Sequence, residues 1–469
     1  MSLLVRDVDA LVADPARGCG RVDVRCRDGV VVAIGTDLGR ESDDEVVDGG
    51  GGALIPGLHD HHIHLFAAAA AARSVLVGPP DVRRVDELRR ALRTAPGRGW
   101  IRAVGYHERV AGELDREVLD ALESARPLRV QHRSGGLWVL NTAACRAIGL
   151  LDAKDLPDGV ELDEQGRANG RLHRLDDWLR ARLPADEPPD VAGLGRQLAR
   201  WGVTGVTDAT PYRTVDELVA LAQVGIGQRL HAMGGVELAG ADRPAELGPA
   251  PVKIIVTDHE LPALADLVER FRLAHGAGRP VAVHCVTRVA LVLALAAWDE
   301  AGSRAGDRIE HGSVVPLELT PAIADHGLTV VTQPTFVAER GDDYLIDVDA
   351  VDQADLYRCR SLQDATIAVA GSTDAPFGHP DPWRAIVAAI ERRTPSGSVL
   401  GPDEALAGPA ALDLFLGAPD APGGPPRRLA VGAPADLVLL DRPLDDVLAE
   451  PLSDLVVATF IDGTPVATA

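Results

Sequence analysis

Four histidines stand close together at the end of an apolar segment, in the run PGLHDHHIHL at residues 56–65. Because alternate residues of a β-strand point to the same face, the side chains of His62 and His64 are expected to point the same way. Neutral imidazole nitrogens are good ligands for zinc and similar divalent ions. The spacing therefore favours a two-histidine metal site, although a histidine-rich turn without a metal would give the same pattern.

A lysine lies inside the apolar run PVKIIV, at residue 253. Of the 47 lysine and arginine residues in the chain, only Lys154 and Lys253 are lysines. An ammonium ion is costly in so apolar a strand, and arginine supplies a charge or a salt bridge equally well. A neutral lysine amine can add CO₂ and become a carbamate that bridges two metal ions, which arginine cannot do. The alternative is a lysine that reaches solvent or pairs with a carboxylate.

Three further candidate ligands come at or just after the ends of apolar runs. His284 follows VAV, His311 follows RIE, and Asp374 lies in the run GSTDAP. Taken singly, each histidine has an ordinary role in a core or at a surface, and the aspartate could cap the following helix. Asp374 could also contact a metal ion and accept a proton from a bound water. The joint pattern is much more specific than any one of its parts.

The elements that must position these residues are eight strand-like runs, separated from the second onward by helix-like stretches. Buried runs of this kind, alternating with helices, predict an α/β fold of the (β/α)₈ TIM-barrel class. Active sites of such barrels lie at the carboxyl ends of the strands, where the candidate ligands fall. The predicted strands are Ala53–Leu65, Val203–Asp208, Arg229–Met233, Val252–Asp258, Val281–Val286, Arg308–His311, Leu328–Thr332 and Ile367–Asp374.

The remaining sequence predicts two additions to the barrel, which itself takes residues 56–78 plus 196–400. Residues 1–55 plus 401–469 are rich in short strands and turns, and predict a small β-sandwich built from both termini. Residues 79–195 interrupt the barrel rhythm and predict an insertion after the first barrel strand, near the active-site mouth. Candidate substrate contacts, each as readily explained by packing, are His107, Trp138, Arg340 and Tyr344.

Composition and charge narrow the class of partner. A formal net charge of −23 argues against nucleic acid and leaves a small-molecule substrate as the expected partner. The apolar run at residues 65–72 is too short to span a membrane, and the N-terminus lacks the pattern of a secretory signal. The five cysteines include no CxxC pair. We therefore expect a cytoplasmic enzyme without disulfides, and the sequence is compatible with a homo-oligomer.

These motifs resemble the amidohydrolase superfamily, and within it the amidohydrolase-3 branch of YtcJ-like proteins and N-substituted formamide deformylases. PGLHDHHIHL, VKIIV, VAVHCV, RIEHGS and GSTDAP are similar to its motifs on strands one, four, five, six and eight. LAVGAPADLVLLD resembles its C-terminal segment, and GYHE, AGELDR and WVLNTAA resemble parts of its insertion. One departure is Ser134-Gly135-Gly136, where the branch often has Asp-Gly-His, so a role for that histidine does not carry over.

The resemblance implies hydrolysis of an amide or cyclic amide-like C–N bond of a small molecule by a hydroxide that bridges two divalent ions, expected to be zinc. Asp374 would accept the proton of the water and pass it to the leaving nitrogen. The six implied ligands are divided between the two ions, with a lysine carbamate as the bridge. They are His62, His64 and Asp374 for one ion, His284 and His311 for the other, and carboxylated Lys253 between them.

Two other functions fit parts of the same pattern. A mononuclear-metal deaminase of the same superfamily shares most of these ligands, but such enzymes usually have a proton-shuttling glutamate three residues after the strand-five histidine. Thr287 occupies that place in this chain. A non-catalytic scaffold of the same fold is the second alternative, and such relatives typically lose ligands, whereas all six are present here.

Overall fold

The computed structural model describes residues 2–13, 20–153, 155–184, 188–211, 214–258 and 261–468, so Cys19 and Lys154 lie outside the described residues. The chain divides into two compact units by its internal contacts. The first unit comprises residues 1–65 and 191–469, and the second comprises residues 66–190. The other four cysteines are all buried and free of disulfides.

Eight parallel strands form the centre of the first unit. They build a three-stranded sheet in the order β3-β2-β1 and a five-stranded sheet in the order β4 to β8. Most of their residues are buried, as near-continuous apolar runs predict for parallel strands covered on both faces. The strands are β1 (Leu58–Ile63), β2 (Val203–Asp208), β3 (Arg229–Ala232), β4 (Val252–Ile255), β5 (Val281–Cys285), β6 (Arg308–His311), β7 (Thr329–Thr332) and β8 (Ala368–Gly371).

Helices follow most of these strands, and their apolar sides are buried. In the helix Arg288–Ala301, for example, Trp298 is fully buried, and the side chain of Thr287 accepts a hydrogen bond from the Ala290 amide as the N-cap. The helices of this unit are Val191–Arg200, Val215–Ala222, Leu264–Gly276, Arg288–Ala301, Thr320–Asp325, Thr335–Asp347, Ala350–Gln353, Arg360–Asp364, Pro382–Glu391, Gly408–Asp413 and Leu444–Ala449. Short 3₁₀ turns lie at Val236–Leu238, Leu317–Leu319, Pro402–Glu404 and Ser453–Leu455.

Both ends of the chain contribute strands to one further sheet, which has eight strands. Its N-terminal and C-terminal halves meet at Ala53–Pro56. This strand pairs antiparallel with Leu437–Leu440 and parallel with Ser2–Ala10. A cluster of buried apolar side chains that includes Leu54, Leu437 and Phe460 packs against it. The strands are Ser2–Ala10, Val22–Arg27, Val30–Gly35, Asp44–Asp48, Ala53–Pro56, Leu437–Leu440, Val456–Ile461 and Thr464–Thr468.

The prediction of one continuous first strand over Ala53–Leu65 is wrong. The structure has two strands there, Ala53–Pro56 in the terminal sheet and β1 beside β2, and they are separated at Gly57. A Cβ atom at Gly57 would lie 2.1 Å from Oγ1 of Thr204 on β2. Glycine therefore allows a close approach that sends the chain from one sheet to the other.

The second unit has its own six-stranded sheet and its own apolar clusters. Its strands are Val75–Leu76, Ile101–Tyr106, Leu128–His132, Leu137–Leu140, Val160–Leu162 and Ala168–His173. Its helices are Val85–Arg93, Glu108–Ala111, Arg116–Leu122, Thr142–Ala147 and Asp176–Arg180, and the helix Leu65–Ala71 leads into it. Across the described ranges of the whole chain, the structure contains no helix with the length and apolar character that a membrane crossing requires.

Candidate metal centre

The carboxyl ends of the parallel strands bring the predicted ligands together. His62 lies near the end of β1 with His64 just beyond it, and Asp374 follows β8. Nε2 of His64 and Nε2 of His62 lie 3.3 Å and 3.5 Å from Oδ1 of Asp374. In the described part of the chain, no other three histidine, cysteine or acidic side chains have potential ligand atoms that all lie within 4.8 Å of one another.

The two later histidines extend this group. The ring of His311, at the end of β6, has its centroid 4.9 Å from that of His62, and its Nδ1 lies 3.8 Å from Oδ2 of Asp374. The ring of His284, on β5, stands edge-on to that of His311 with 4.5 Å between centroids. The structure therefore places the histidines of β1, β5 and β6 in one continuous cluster.

Lys253 is buried on β4, with 4% of its surface exposed. Burial lowers the pKa of its amine below the ordinary value for lysine, and charge interactions with Glu310 and Asp374 oppose that effect. Lys253 is also close enough to His62 and His311 to help lower the pKa of both imidazoles, for which burial is the main cause. The structure thus brings the six predicted ligands into one region, at the carboxyl ends of the parallel strands.

The positive backbone angle φ at two of these residues indicates that the site is held under local constraint. His311 has a φ of 71° and Asp374 has a φ of 52°. Residues other than glycine seldom adopt such angles, which persist where the surrounding structure enforces them. At Asp374 the enforcing contacts are visible, since its amide donates to the carbonyl of His62 at 2.8 Å and the amide of His64 donates to the carbonyl of Ala375 at 2.9 Å.

Hydrogen bonds fix the orientation of three histidine rings through Nδ1. Nδ1 of His62 contacts the carboxylate of Glu310, and Nδ1 of His64 lies 2.8 Å from Oγ1 of Thr210. Nδ1 of His311 lies 2.9 Å from Oε1 of Gln333, whose amide nitrogen in turn donates to Ser372. With Nδ1 occupied, Nε2 is the nitrogen that each ring can offer to a metal ion, as is usual for metal-binding histidines.

Glu310 was not among the predicted site residues, although it lies beside a predicted ligand. Its side chain is completely buried, and it binds Nε of the equally buried Arg308 as well as Nδ1 of His62. A buried carboxylate between a guanidinium and an imidazole keeps Nδ1 of His62 protonated and so directs Nε2 toward the centre. The position of an acid next to a predicted ligand was the available signal, but its partner could be known only from the fold.

Asp60 is a second residue that the sequence analysis did not single out. Its carboxylate accepts hydrogen bonds from the hydroxyl and the amide of Thr373 and from the amide of His62. Burial nevertheless raises its pKa to about 7. Asp60 therefore ties the ligand-bearing end of β1 to the segment that carries Asp374.

Not every histidine of the first motif joins the centre. His61 is fully buried and its ring lies 4.7 Å from that of His59, whose Nε2 is 2.9 Å from Oγ1 of Thr207. Neither ring is part of the cluster around Asp374. The alternation of side chains on a strand therefore assigns His62 and His64, rather than their neighbours, to the site.

The atoms at the centre fit a divalent cation. Among the described residues, Nε2 of His62, Nζ of Lys253 and Oδ1 of Asp374 are buried and have no hydrogen-bond partner. Buried polar atoms are nearly always satisfied, so these unpartnered atoms, two of which lie only 3.5 Å apart, indicate a missing partner. Imidazole nitrogens with a carboxylate oxygen are the donor set that zinc and similar ions prefer.

The four candidate substrate contacts have different surroundings. In the second unit, His107 caps the helix Glu108–Ala111, and the buried Trp138 donates to Asp176 at 2.8 Å. In the first unit, Arg340 and Tyr344 lie on the helix Thr335–Asp347 that follows β7. Thr287, where a deaminase of this superfamily would carry a glutamate, is a helix cap whose hydroxyl donates to Asp258.

The sequence matches the Amidohydrolase family over residues 45–467. The chain belongs to the amidohydrolase family. It is 24% identical to an N-substituted formamide deformylase from Arthrobacter pascens, in an alignment that covers 98% of this chain and 97% of the relative. Membership of this family makes the chain a metal-dependent hydrolase that acts on carbon–nitrogen bonds.

Solved structures share the fold of this amidohydrolase. An uncharacterised metal-dependent hydrolase from Pyrococcus horikoshii OT3 is 21% identical, with a TM-score of 0.75 and coverage of 96% of this chain and 99% of that chain. Atrazine chlorohydrolase from Arthrobacter aurescens TC1, solved in complex with zinc, is 16% identical, with a TM-score of 0.57 and coverage of 99% and 94%. At these identities the likeness is one of fold.

Replacing Glu310 with glutamine is expected to weaken metal binding by about 10–100-fold, the usual cost of losing the group that orients a metal-binding histidine. The glutamine side chain is uncharged, so its hydrogen bond with Nδ1 of His62 would be weaker than the one made by the Glu310 carboxylate. Competition with a chromogenic chelator measures the affinity. Glu318→Gln, an exposed glutamate that also pairs with an arginine, is the matched control. Unchanged affinity in a folded Glu310→Gln protein would rule out the orienting role.

Proposed function

We propose that this amidohydrolase cleaves the C–N bond of a small N-substituted amide at a centre of two divalent ions, expected to be zinc. The observation that carries the proposal is that Nε2 of His62 and Oδ1 of Asp374 lie 3.5 Å apart, and that both atoms, like Nζ of the buried Lys253, lack hydrogen-bond partners among the described residues. The deformylase relative, which acts on N-substituted formamides, supports formamides as the first substrates to test.

Asp374 is the residue assigned to proton transfer. Its Oδ1 is buried and lies between Nε2 of His62 and Nε2 of His64. Divalent ions bound here would polarise the substrate carbonyl and bring the pKa of a water toward neutrality. The Asp374 carboxylate would take the proton of the attacking water and return it to the leaving nitrogen, which needs that proton to depart as an amine.

We also propose that the two parallel sheets close into a single (β/α)₈ barrel. At one seam, Gly234 and Val252 form a parallel bridge, and the amide of Lys253 donates to the carbonyl of Gly234 at 2.8 Å. At the other seam, the amide of Asp374 donates to the carbonyl of His62. These contacts support a closed barrel, whose strand ends would then surround the centre.

A mononuclear deaminase of the same superfamily is the second candidate. The compact group of His62, His64 and Asp374 by itself would serve a single ion. Against it, Thr287 offers no carboxylate for proton shuttling and is engaged as a helix cap. A non-catalytic scaffold is less favoured still, because all six predicted ligands are present.

Protein purified without chelator and supplemented with zinc is expected to contain about two ions per chain and to hydrolyse N-substituted formamides. Elemental analysis measures the metal, and release of the amine measures the reaction. Chelator treatment should remove both, and added metal should restore both. A metal content near one with release of ammonia from an aminated heterocycle would favour the deaminase, whereas a content near zero after supplementation would contradict the proposed metal centre.

A further inference from the structure

An arginine and four aromatic residues form a patch beside the metal centre that the proposed reaction does not use. Phe336, Arg340 and Tyr344 are spaced four residues apart on the helix Thr335–Asp347, so they share one face of it. Tyr357 and Phe377 pack against this face. We call these five residues the arginine–tyrosine patch.

Among the described residues, Arg340 makes no direct ion pair with an acid, although the charges of Glu339 and Asp374 act on it from a longer distance. Its guanidinium lies 4.2 Å from the centroid of the Phe336 ring, and its one hydrogen bond goes to the carbonyl oxygen of Phe377. The carboxylate of the neighbouring Glu339 accepts hydrogen bonds from the hydroxyl of Thr335 and the amide of His379 rather than from Arg340. Most of the donor capacity of this guanidinium is therefore unused.

Other buried arginines of this unit have donor groups filled by acids or by carbonyl oxygens. Arg392, for example, donates to the carbonyls of Leu356, Tyr357 and Leu400. Arg308 is paired with Glu310, and Arg358 is paired with Asp355 and Glu404. A partly buried guanidinium with most of its donors unfilled is costly, because it has lost water without gaining hydrogen bonds in return. The unfilled donors of Arg340 therefore indicate an acceptor supplied by a ligand, and an anionic acceptor would complement the charge of the guanidinium.

Phe377 connects the patch to the metal centre. Its ring stands edge-on to the ring of His64, with 5.7 Å between the centroids. Its amide donates to the carbonyl of Asp374 at 2.8 Å, while its own carbonyl accepts from Arg340. A group held by Arg340 would thus lie next to the ligands of the centre.

The two tyrosines add hydroxyl groups to the patch. The hydroxyls of Tyr344 and Tyr357 lie 2.9 Å apart. Tyr357 is buried and has a φ of 47°, which is strained for so large a residue, and its amide donates to the carbonyl of Ser313 just beyond His311. The fold therefore holds Tyr357, like Asp374, in a strained backbone conformation, and this fixes the position of its ring.

We propose that the arginine–tyrosine patch binds a carboxylate of the substrate, so that the enzyme prefers N-acyl or N-formyl amino acids and related acidic amides over neutral ones. A planar guanidinium matches a carboxylate in a two-point contact, and phenol hydroxyls can donate to the same oxygens. This inference rests on the proposed function, because it assigns the substrate class of the same site.

A matched pair of substrates tests the proposal. N-Formylphenylalanine, as each enantiomer, is compared with N-formyl-2-phenylethylamine, which lacks only the carboxylate. For the metal-loaded wild-type enzyme, kcat/KM for the better enantiomer of the acid is expected to exceed kcat/KM for the neutral substrate by at least about 10-fold. Arg340→Leu should lower kcat/KM for the acid by about 10–100-fold, mainly through KM, the range expected for losing a hydrogen bond to a charged group. The neutral substrate should change by less than about 3-fold.

The controls separate charge recognition from a structural effect. Arg360→Leu removes an exposed arginine that makes only a long surface ion pair, and it should leave the ratio of acid to neutral substrate unchanged. Arg340→Lys should retain part of the preference, since it keeps the charge and loses the two-point geometry. An equal loss on both substrates in Arg340→Leu, or a wild-type preference for the neutral amide, would overturn the proposal.

Failure of the proposed hydrolysis would be recognised separately. If neither substrate is cleaved by the metal-loaded enzyme, calorimetric titration with 3-phenylpropanoate and 3-phenylpropanamide tests the patch by itself. Wild type should bind the acid more tightly than the amide, and Arg340→Leu should lose that difference. Any affinity of the acid for metal is common to both proteins and cancels in the comparison. An equal difference in both proteins would refute a role for Arg340 in binding the acid.

Discussion

Replacing Asp374 with asparagine is expected to lower kcat by about 10²–10⁴-fold, the typical contribution of a positioned proton-transfer group. Asparagine has nearly the same shape, but its amide cannot accept the proton of the attacking water. Oδ1 of Asp374 has no hydrogen-bond partner among the described residues and lies within 3.5 Å of Nε2 of both His62 and His64. The same substitution also removes a negative ligand, so loss of metal can add to the fall in rate.

Steady-state kinetics, metal analysis and circular dichroism on one preparation distinguish these causes. The fold should be preserved, because the backbone contacts of Asp374 with His62 and Phe377 do not involve its side chain. Asp364→Asn, which changes an exposed aspartate, serves as the control for charge removal. Near-normal turnover in Asp374→Asn with metals bound would show that another group accepts the proton, and the assigned mechanism would be wrong.

The strands could be predicted where their sequence is apolar and bounded by turns. The bounds predicted for Val203–Asp208 and Arg308–His311 are those of the structure. The first strand was extended too far, because the break at Gly57 depends on its contact with Thr204, more than a hundred residues later. Periodicity reports local geometry, and it contains no information about which strand lies beside a glycine.

The ligands of the centre could be named from the sequence, but the groups that orient them could not. His62 and His64 were identifiable because the strand period places them on one face. Glu310, by contrast, becomes meaningful only when β6 lies near β1 and its carboxylate reaches Nδ1 of His62. For the same reason, Arg340 stood out in the sequence only as a candidate, and its unfilled donors could be seen only in the structure.

Replacing Lys253 with arginine is expected to remove at least one metal ion and nearly all activity, although the positive charge is kept. The proposed bridge is a carbamate formed when the neutral lysine amine adds CO₂. Burial lowers the pKa of this amine and so favours the neutral form, and Nζ has no hydrogen-bond partner within the described residues. A guanidinium stays protonated at any pH at which the protein is folded, so it cannot form the bridge.

Alanine at the same position provides a sharper test, because it removes the side chain without adding a charge. Lys253→Ala should be inactive alone and partly rescued by short carboxylic acids such as formate or acetate, whose two oxygens can stand in for the carbamate. Lys154→Arg, which alters the only other lysine of the chain, is the control for lysine replacement as such. Rescue that depends on acid concentration and restores metal content together with activity would point to a bridging ligand rather than to a structural role.

Direct detection of the modification decides between two ions and one. Gentle-ionisation mass spectrometry of the metal-loaded protein should show a gain of one CO₂ that is absent in Lys253→Ala, and an electron-density map should extend beyond Nζ. The carbamate is anionic and would offset part of the charge of two dications among His62, His284 and His311, where an unmodified ammonium would be strongly unfavourable. An unmodified Nζ in a fully metal-loaded structure would therefore contradict the binuclear centre, and the compact group of His62, His64 and Asp374 would then be expected to hold a single ion.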